Sequence, residues 1–580
     1  MTLFRTLNET ATQIVGARGS AVETARGRLI VMAIVFALVF GGVGLRVTWL
    51  CLFQEGAEPR FESFHAGNEG SAVLAVGRGD ILDRNGVLLA TTLETLSLYA
   101  DPKLILDAPV VARDLKKVFP DINEADLAAK LTSKSRFIWV QRGVSPQKAA
   151  AVNALGHPGL DFRSESRRFY PQENLVSHIV GYTGVDGDGF AGVERSFNAA
   201  LKQSSKPLKL TIDVRFQHAL RRAMLDAVTK FNAKGAAGAI VDVQSGDILA
   251  AVSLPDFNPQ DINAATDDQK FNRFSLGVYE MGSTFKTFST AALLDRVDPS
   301  LGQRFDASKP IKTGRFTITD YHAQNRVMTV PEIFMYSSNI GTARMGEKVG
   351  TPVLKSFLFS LGFDKPVPLA ISEKAAPLVP NPWRDVSTLT TSYGHGMSVT
   401  PLHLIRAFSA IVNGGVLPAL HIAYGEHDET RPRIVSEATS ERMRHLLRLV
   451  VTHGTGSKAN IPGAMIGGKT GTTEKNIGGR YVKNKLISSF VATFPADHPR
   501  YAILVSVDEP VGNKESYGYA TAGWVAAPPV GAVAQAIVTL ENMPQADTKD
   551  DEAIEAEMIQ YIQLDAKHAK GKAQAVPSDR

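Results

Sequence analysis

Tyr279-Glu280-Met281-Gly282-Ser283-Thr284-Phe285-Lys286 decides how the rest of this chain is read. Ser283 and Lys286 stand three residues apart, and a run of helix formers follows over 287–294. Gly282 relaxes the entry into that helix. With Ser283 in the first turn, Lys286 lies one turn on and on the same face. An amine then stands beside a hydroxyl at the positive end of a helix dipole, which suits a nucleophile and its base. Alone, the pair is ordinary, since S-x-x-K recurs on solvated helix faces. It needs partners elsewhere in the chain.

Two further pieces supply them. Ser337-Ser338-Asn339 follows a predicted helix over 330–336, and Lys469-Thr470-Gly471-Thr472 follows an apolar stretch. S-x-x-K, then S-x-N, then K-T-G, in that order and well separated, is far more specific than any one triplet. At this point the chain resembles the penicillin-binding proteins and serine β-lactamases. Residues 463–470 also satisfy the phosphate-loop pattern G-x-x-x-x-G-K-[ST], but that motif needs a helix directly after it. Residues 471–479 read as a loop, so a nucleotide site is set aside.

Each motif residue suits acyl transfer. A free lysine, with a pKa of about 10.4, is a poor base at neutral pH. Lys286 therefore needs burial or a second cation, and Lys469 can be that cation. Ser337 can relay a proton between Lys286, Lys469 and a leaving amine. Asn339 can accept from Lys286 and donate to a substrate amide. Gly471 leaves a strand edge open to an extended peptide. Thr470 and Thr472 can hold a terminal carboxylate. By analogy with the family, the N–H groups of Ser283 and Thr472 form the oxyanion hole.

Composition is that of a globular protein of three or four domains: 580 residues, 44% apolar and 21% charged. A net charge of +5 with no long basic run excludes a nucleic-acid binder. Cys51 is the only cysteine, so no internal disulfide forms. The histidines make no metal-ligand spacing, and no cofactor or metal is expected. His395, in a Gly-rich loop, is expected to shape the site without acting in it.

Residues 29–45 carry no charge, and 46–53 extend the apolar run past Arg46 to a length that crosses a bilayer. Arg5, Arg18, Arg26 and Arg28 precede it, which keeps 1–28 cytoplasmic and places the rest outside. A cleaved signal peptide is the rival, but no small-x-small site follows. No other stretch reads as long and apolar enough to span. Residues 54–205 read as a non-catalytic pedestal or interaction domain. Asn85-Gly86 marks a hairpin, helices fall over 111–118 and 124–131, and Arg167-Arg168-Phe169-Tyr170-Pro171 reads as a basic turn. Residues 206–545 form a second domain. A helix over 214–231, hairpin strands at 238–243 and 248–253, and last strands at 486–494 and 501–507 imply α+β architecture, an antiparallel sheet with packed helices. Residues 546–580 read as a C-terminal tail with one amphipathic helix.

The likeness extends over most of 72–525. Arg78 to Gly86, Gly192-Val193-Glu194, Leu210-Thr211-Ile212-Asp213 and Gly394 to Leu402 are similar to segments of class B penicillin-binding proteins, of the FtsI type among them. Met281 departs from the family, where proline commonly precedes Gly-Ser. The resemblance implies a penicillin-sensitive D,D-transpeptidase with a β-lactamase-like catalytic domain. Ser283 would attack the D-Ala-D-Ala carbonyl of a peptidoglycan stem peptide and pass the acyl group to a neighbouring amine. It also implies a single-pass inner-membrane protein with its catalytic domain in the periplasm, enriched at the division septum. The implied partners are an FtsW-type glycosyltransferase and other divisome proteins. An elongation-type transpeptidase, a β-lactamase, and a non-catalytic division scaffold or β-lactam sensor remain alternatives.

Overall fold

The computed structural model describes Met32, residues 34–38, 40–41, 78–204, 206–314, 316–425 and 431–563. Met32, 34–38 and 40–41 are helical with exposed apolar side chains. The remainder of the expected anchor, Cys51 and the cytoplasmic tail lie outside the described residues.

The pedestal is built on a five-stranded sheet. Strand β1 (Ile81–Leu82) turns through Asn85-Gly86 into β2 (Leu88–Ala100), the hairpin expected from that dipeptide. Strands β3 (Ile138–Val144) and β4 (Leu160–Phe169) pair antiparallel with β2. Helices α1 (Ala108–Val118) and α2 (Glu124–Leu131) cover a small core that includes Leu98, Leu115 and Leu131. Strand β5 (Leu208–Lys209), read from sequence as the opening of the second domain, pairs in parallel with β1.

Arg167 and Arg168 are not in a turn; they belong to β4, opposite Leu93 and Thr92. Arg168 is buried because its charge is met: its Nε donates to Glu194 Oε1 at 2.6 Å. Arg78 donates to the other carboxylate oxygen and to the Glu194 carbonyl. Glu194 is fully buried between these guanidinium groups. Two sequence signatures more than a hundred residues apart are thus halves of one ionic triad.

The catalytic sheet runs in the order β8 (Gly467–Ile477), β9 (Arg480–Phe494), β10 (Tyr501–Asp508), β6 (Gly235–Asp242), β7 (Ile248–Leu254), antiparallel throughout. Alternating apolar residues fill both faces, so β10 is wholly buried. Helix α3 (Val214–Lys230) packs on β6 and β7. Helix α4 (Lys286–Arg296) is central: residues 286–294 are all buried, which no amphipathic surface helix would be. Phe285 stacks on Phe363 at its base, and Phe288 meets both rings edge-on.

One expectation fails at the C-terminal end. Ala522–Leu540, containing α8 (Ala527–Leu540), is also long and apolar enough to span a membrane. It is half buried, with Val530, Val533 and Ile537 in the core beside the sheet. The amphipathic helix expected after 546 is present. Helix α9 (Thr548–Ile559) docks on α7 (Glu437–Thr452) through buried Ile554 and Met558. Asp551 takes a bidentate pair from Arg448 at 2.7 Å for each bond, and Glu557 meets His445 at 2.7 Å. These basic partners lie about a hundred positions upstream, beyond the reach of local sequence patterns. Residues 564–580 lie outside the described residues.

Removing one member of the buried triad leaves uncompensated charge. Glu194→Ala should destabilise the folded chain by about 3–5 kcal/mol, read by denaturant unfolding. A loss below about 1 kcal/mol would show that the two guanidinium groups find water instead.

Candidate active site

Ser283 sits in the 3-10 turn Gly282–Phe285 that leads into α4, so Lys286 opens the helix proper. Gly282 has φ +51°, and an added Cβ would stand 2.3 Å from Thr473 Oγ1. Its N–H donates to the Gly394 carbonyl at 3.1 Å. A loop from one side and a strand from the other thus pin the nucleophile turn.

Helix α5 (Val330–Tyr336) ends at Ser337, which is left-handed at φ 59° and ψ 43°. This conformation is costly for a residue with a side chain. It ends the helix with the Ser337 carbonyl and hydroxyl both within reach of Lys286. Asn339 then begins α6 (Asn339–Val349). Asp320 anchors the connection, accepting from Ser338 Oγ at 2.6 Å and Ile340 N at 2.9 Å.

Lys286 is fully buried. Its Nζ donates to the Ser337 carbonyl, to Ser337 Oγ at 3.2 Å and to Asn339 Oδ1 at 2.7 Å. Lys469, equally buried, donates to Ser337 Oγ at 2.9 Å. Burial, and next the positive Lys469, hold the Lys286 amine well below the usual lysine range. Burial alone pulls Lys469 down to about 7. Three acceptors suit an ammonium, but a neutral amine keeps only two N–H bonds. Deprotonation therefore frees a lone pair on Lys286. No described residue hydrogen-bonds the Ser283 hydroxyl, a common state before substrate tightens a catalytic set.

Strand β8 follows the period of two. Thr470, Thr472 and Glu474 line a cleft of about 670 Å³, together with Ser283, Ser337 and Asn339. Thr470 shares a hydrogen bond with Thr455 at 2.6 Å, and Thr472 Oγ1 accepts from Ala522 N at 3.0 Å. Lys469, Gly471 and Thr473 occupy the alternate positions. Gly471 is needed for a reason the sequence reading missed. A Cβ there would stand 2.5 Å from the Met281 carbonyl and 2.8 Å from Thr284 Cγ2. The bare position lets the strand lie against the nucleophile turn. Residues 471–477 are strand, not loop, because β9 pairs with them, through one register shift between Glu474 and Lys475. No helix follows the phosphate-loop pattern, so that decoy lacks the structure it requires. Asn339 Nδ2 donates one N–H to the Thr319 carbonyl at 3.0 Å, which leaves its second N–H for substrate.

The eight residues singled out in the sequence thus converge on one cleft or its immediate wall. The chain matches the Penicillin binding protein transpeptidase domain over residues 236–529 and the Penicillin-binding Protein dimerisation domain over 73–205. It is 39% identical over 551 residues to the probable peptidoglycan D,D-transpeptidase FtsI of Caulobacter vibrioides, covering 90% of this chain and 92% of that protein. It is 30% identical to the peptidoglycan D,D-transpeptidase FtsI of Escherichia coli K12, covering 82% and 86%. The chain belongs to the FtsI-type class B penicillin-binding proteins. The fold matches crystalline penicillin binding protein 3 of Mycobacterium tuberculosis, complexed with aztreonam, at TM-score 0.65 and 24% identity, covering 82% and 98% of the two chains.

Within this penicillin-binding fold, several cleft residues escaped the sequence reading. Asp320 and Thr455 lie outside the three motifs, and only their backbone surroundings bring them in. Lys458 lies over the Trp524 ring at 3.8 Å from its centroid, forming a wall from two distant segments.

Two outcomes follow from this geometry. Gly471→Ala should drive β8 off the nucleophile turn and lower the acylation rate constant by about 10²-fold, with the far-UV spectrum kept; unaltered acylation would show that the turn yields. The pH profile of penicillin acylation should be bell-shaped. Rate rises as Lys286 loses its proton and falls as Lys469 loses its charge near pH 7. A rate that climbs without a break to pH 10 would contradict the assignment of Lys469 as the cation.

Proposed function

We propose that this protein is the D,D-transpeptidase that cross-links peptidoglycan stem peptides at the division septum. The observation that carries it is the meeting of Lys286, Lys469 and Asn339 around Ser337, in the cleft that Ser283 lines. Ser283 Oγ attacks the carbonyl carbon of the penultimate D-alanine and passes its proton to neutral Lys286. The developing oxyanion is held by the N–H groups of Ser283 and Thr472. Ser337 bridges Lys286 and Lys469 and carries the proton to the departing D-alanine amine. Thr470, Thr472 and the Lys469 charge hold the terminal carboxylate of the donor. β8 is the edge strand of its sheet, which suits an extended peptide pairing alongside it. The stem peptide then rests as an ester on Ser283 until an amine from a neighbouring strand displaces it. β-Lactams acylate the same oxygen and stay.

The N-terminal apolar segment anchors the enzyme in the inner membrane, with both folded domains in the periplasm. The pedestal reads as non-catalytic, so the glycan polymer comes from a separate FtsW-type glycosyltransferase, with other divisome proteins around it.

Fluorescent penicillin should label the full chain stoichiometrically and persistently, and Ser283→Ala should abolish the label. Persistent labelling of that variant, or rapid turnover of penicillin by the unaltered chain, would overturn the reading. A fluorescent fusion should gather at the septum; even distribution along the side wall would assign the enzyme to elongation instead.

A further inference from the structure

The sequence reading set His395 aside as a loop-shaping residue, and the mechanism above does not use it. Its surroundings are those of an oriented base. His395 lines the same cleft as Ser283. Its Nδ1 stands 3.1 Å from Glu280 Oε2. Glu280 is itself fixed and nearly buried: it accepts from Gly396 N at 3.0 Å and from Tyr481 OH at 3.0 and 3.1 Å. Tyr393 and Tyr481 pack against the imidazole at 5.3 and 5.8 Å between ring centroids. Nδ1 is thus the ring nitrogen held at ion-pair distance from the carboxylate, and no described residue hydrogen-bonds Nε2. Backbone contact keeps the pair close to the nucleophile. Glu280 is three residues before Ser283, and Gly394, beside His395, accepts from Gly282 N.

The first half-reaction has its base in Lys286. The second brings a different problem. A primary amine arrives at neutral pH as an ammonium, and an ammonium cannot attack a carbonyl. Lys286 returns a proton to Ser283 Oγ in that step, so it is not free to take the extra one. Two carboxylates near this part of the cleft suit a cation: Glu474 on β8, which lines it, and Glu280, 3.1 Å from the His395 ring.

The geometry points to Glu280 and His395 as the acceptor-side base, which receives the incoming ammonium and removes its first proton. This deepens the transpeptidase reading and rests on it. His395 Nε2 takes one proton from the acceptor R–NH3+. The neutral nitrogen then attacks the acyl carbonyl; the C–N bond forms and the C–Oγ bond breaks. The second proton leaves the new amide nitrogen through Lys286 and restores the Ser283 hydroxyl. His395 gives its proton to solvent. The sum is one amide, one free serine and one proton released.

The test separates the two halves of the reaction in the full-length chain. An N-acyl-D-alanyl thioester serves as donor, with either D-alanine, an ammonium at pH 7, or hydroxylamine, which is neutral there, as acceptor. His395→Gln and Glu280→Gln should each lower aminolysis by D-alanine by roughly 10²-fold, and hydroxylamine should restore most of that loss. Equal losses with both acceptors would make the pair a structural support and overturn the inference, as would no loss with either. Penicillin labelling of the same variants reports folding of the donor side. Failure of the unaltered chain to label at Ser283 would sink the acyl-enzyme itself, and this inference with it; labelling without acceptor discrimination would sink this inference alone.

Discussion

Everything at this site depends on burying two lysine amines around one serine hydroxyl. Lys286 and Lys469 have no accessible surface, and neither is hydrogen-bonded to a carboxylate. Their partners are carbonyls and hydroxyls, which satisfy N–H bonds without cancelling charge. Asp320, the carboxylate that favours charge on Lys286, has its oxygens occupied by Ser338 and Ile340. A paired lysine would keep its proton and fail as a base. The arrangement tolerates an electrostatic penalty because the penalty makes the base. Ser337 adds to it by holding a left-handed backbone.

Such a site does not persist unless its surroundings fix it, and the fold fixes both carriers. Thr329 and Glu332 form a capping box at the start of α5, seven residues before Ser337. The C-terminal segment locks that end: Thr329 Oγ1 donates to the Tyr561 carbonyl at 2.8 Å, and Gln563 N donates to Glu332 at 2.8 Å. The same segment reaches the other carrier through Arg448. That guanidinium binds Asp551 on α9 and the Ile466 carbonyl at 2.9 Å, directly before β8 and Lys469. One segment near the end of the described chain, α9 and the residues just after it, thus braces both the serine and the second lysine.

The parts of this design that were legible in the sequence are the local ones. Asn85-Gly86 spells a turn, 330–336 has helical periodicity, and the spacing of Ser283 and Lys286 follows from one helical turn. Their meeting was inferred from motif order, since no local rule brings position 469 to 286. What stayed hidden depends on partners far away in sequence. Arg168 read as part of a basic turn because its partner Glu194 lies 26 residues on. Nothing local to the segment after 546 points to His445 and Arg448, which hold it through Glu557 and Asp551. Residues 471–477, rich in Gly, Thr and Lys, have weak strand character, and only the ladder to β9 makes them extended. Gly471 was assigned to substrate because the sequence cannot say which of its neighbours comes within 3 Å.

The pedestal signature so far from the chemistry has a mechanical explanation in the same terms. Asp83 accepts from Asn85 N and Val87 N within its own turn, and its second oxygen accepts from Val214 N at 3.2 Å. Asn85 Nδ2 donates to Asp213, the N-cap of α3, at 2.9 Å. The hairpin that opens the pedestal therefore caps the helix that opens the catalytic domain. That helix packs on β6 and β7, and β6 is bonded through β10 and β9 to β8. A displacement of the hairpin would uncap α3 and load the sheet whose far edge holds Lys469. Asp83 and Asn85 are thus constrained by the catalytic domain, although neither lines the cleft, because their side chains form bonds on which the position of that sheet rests.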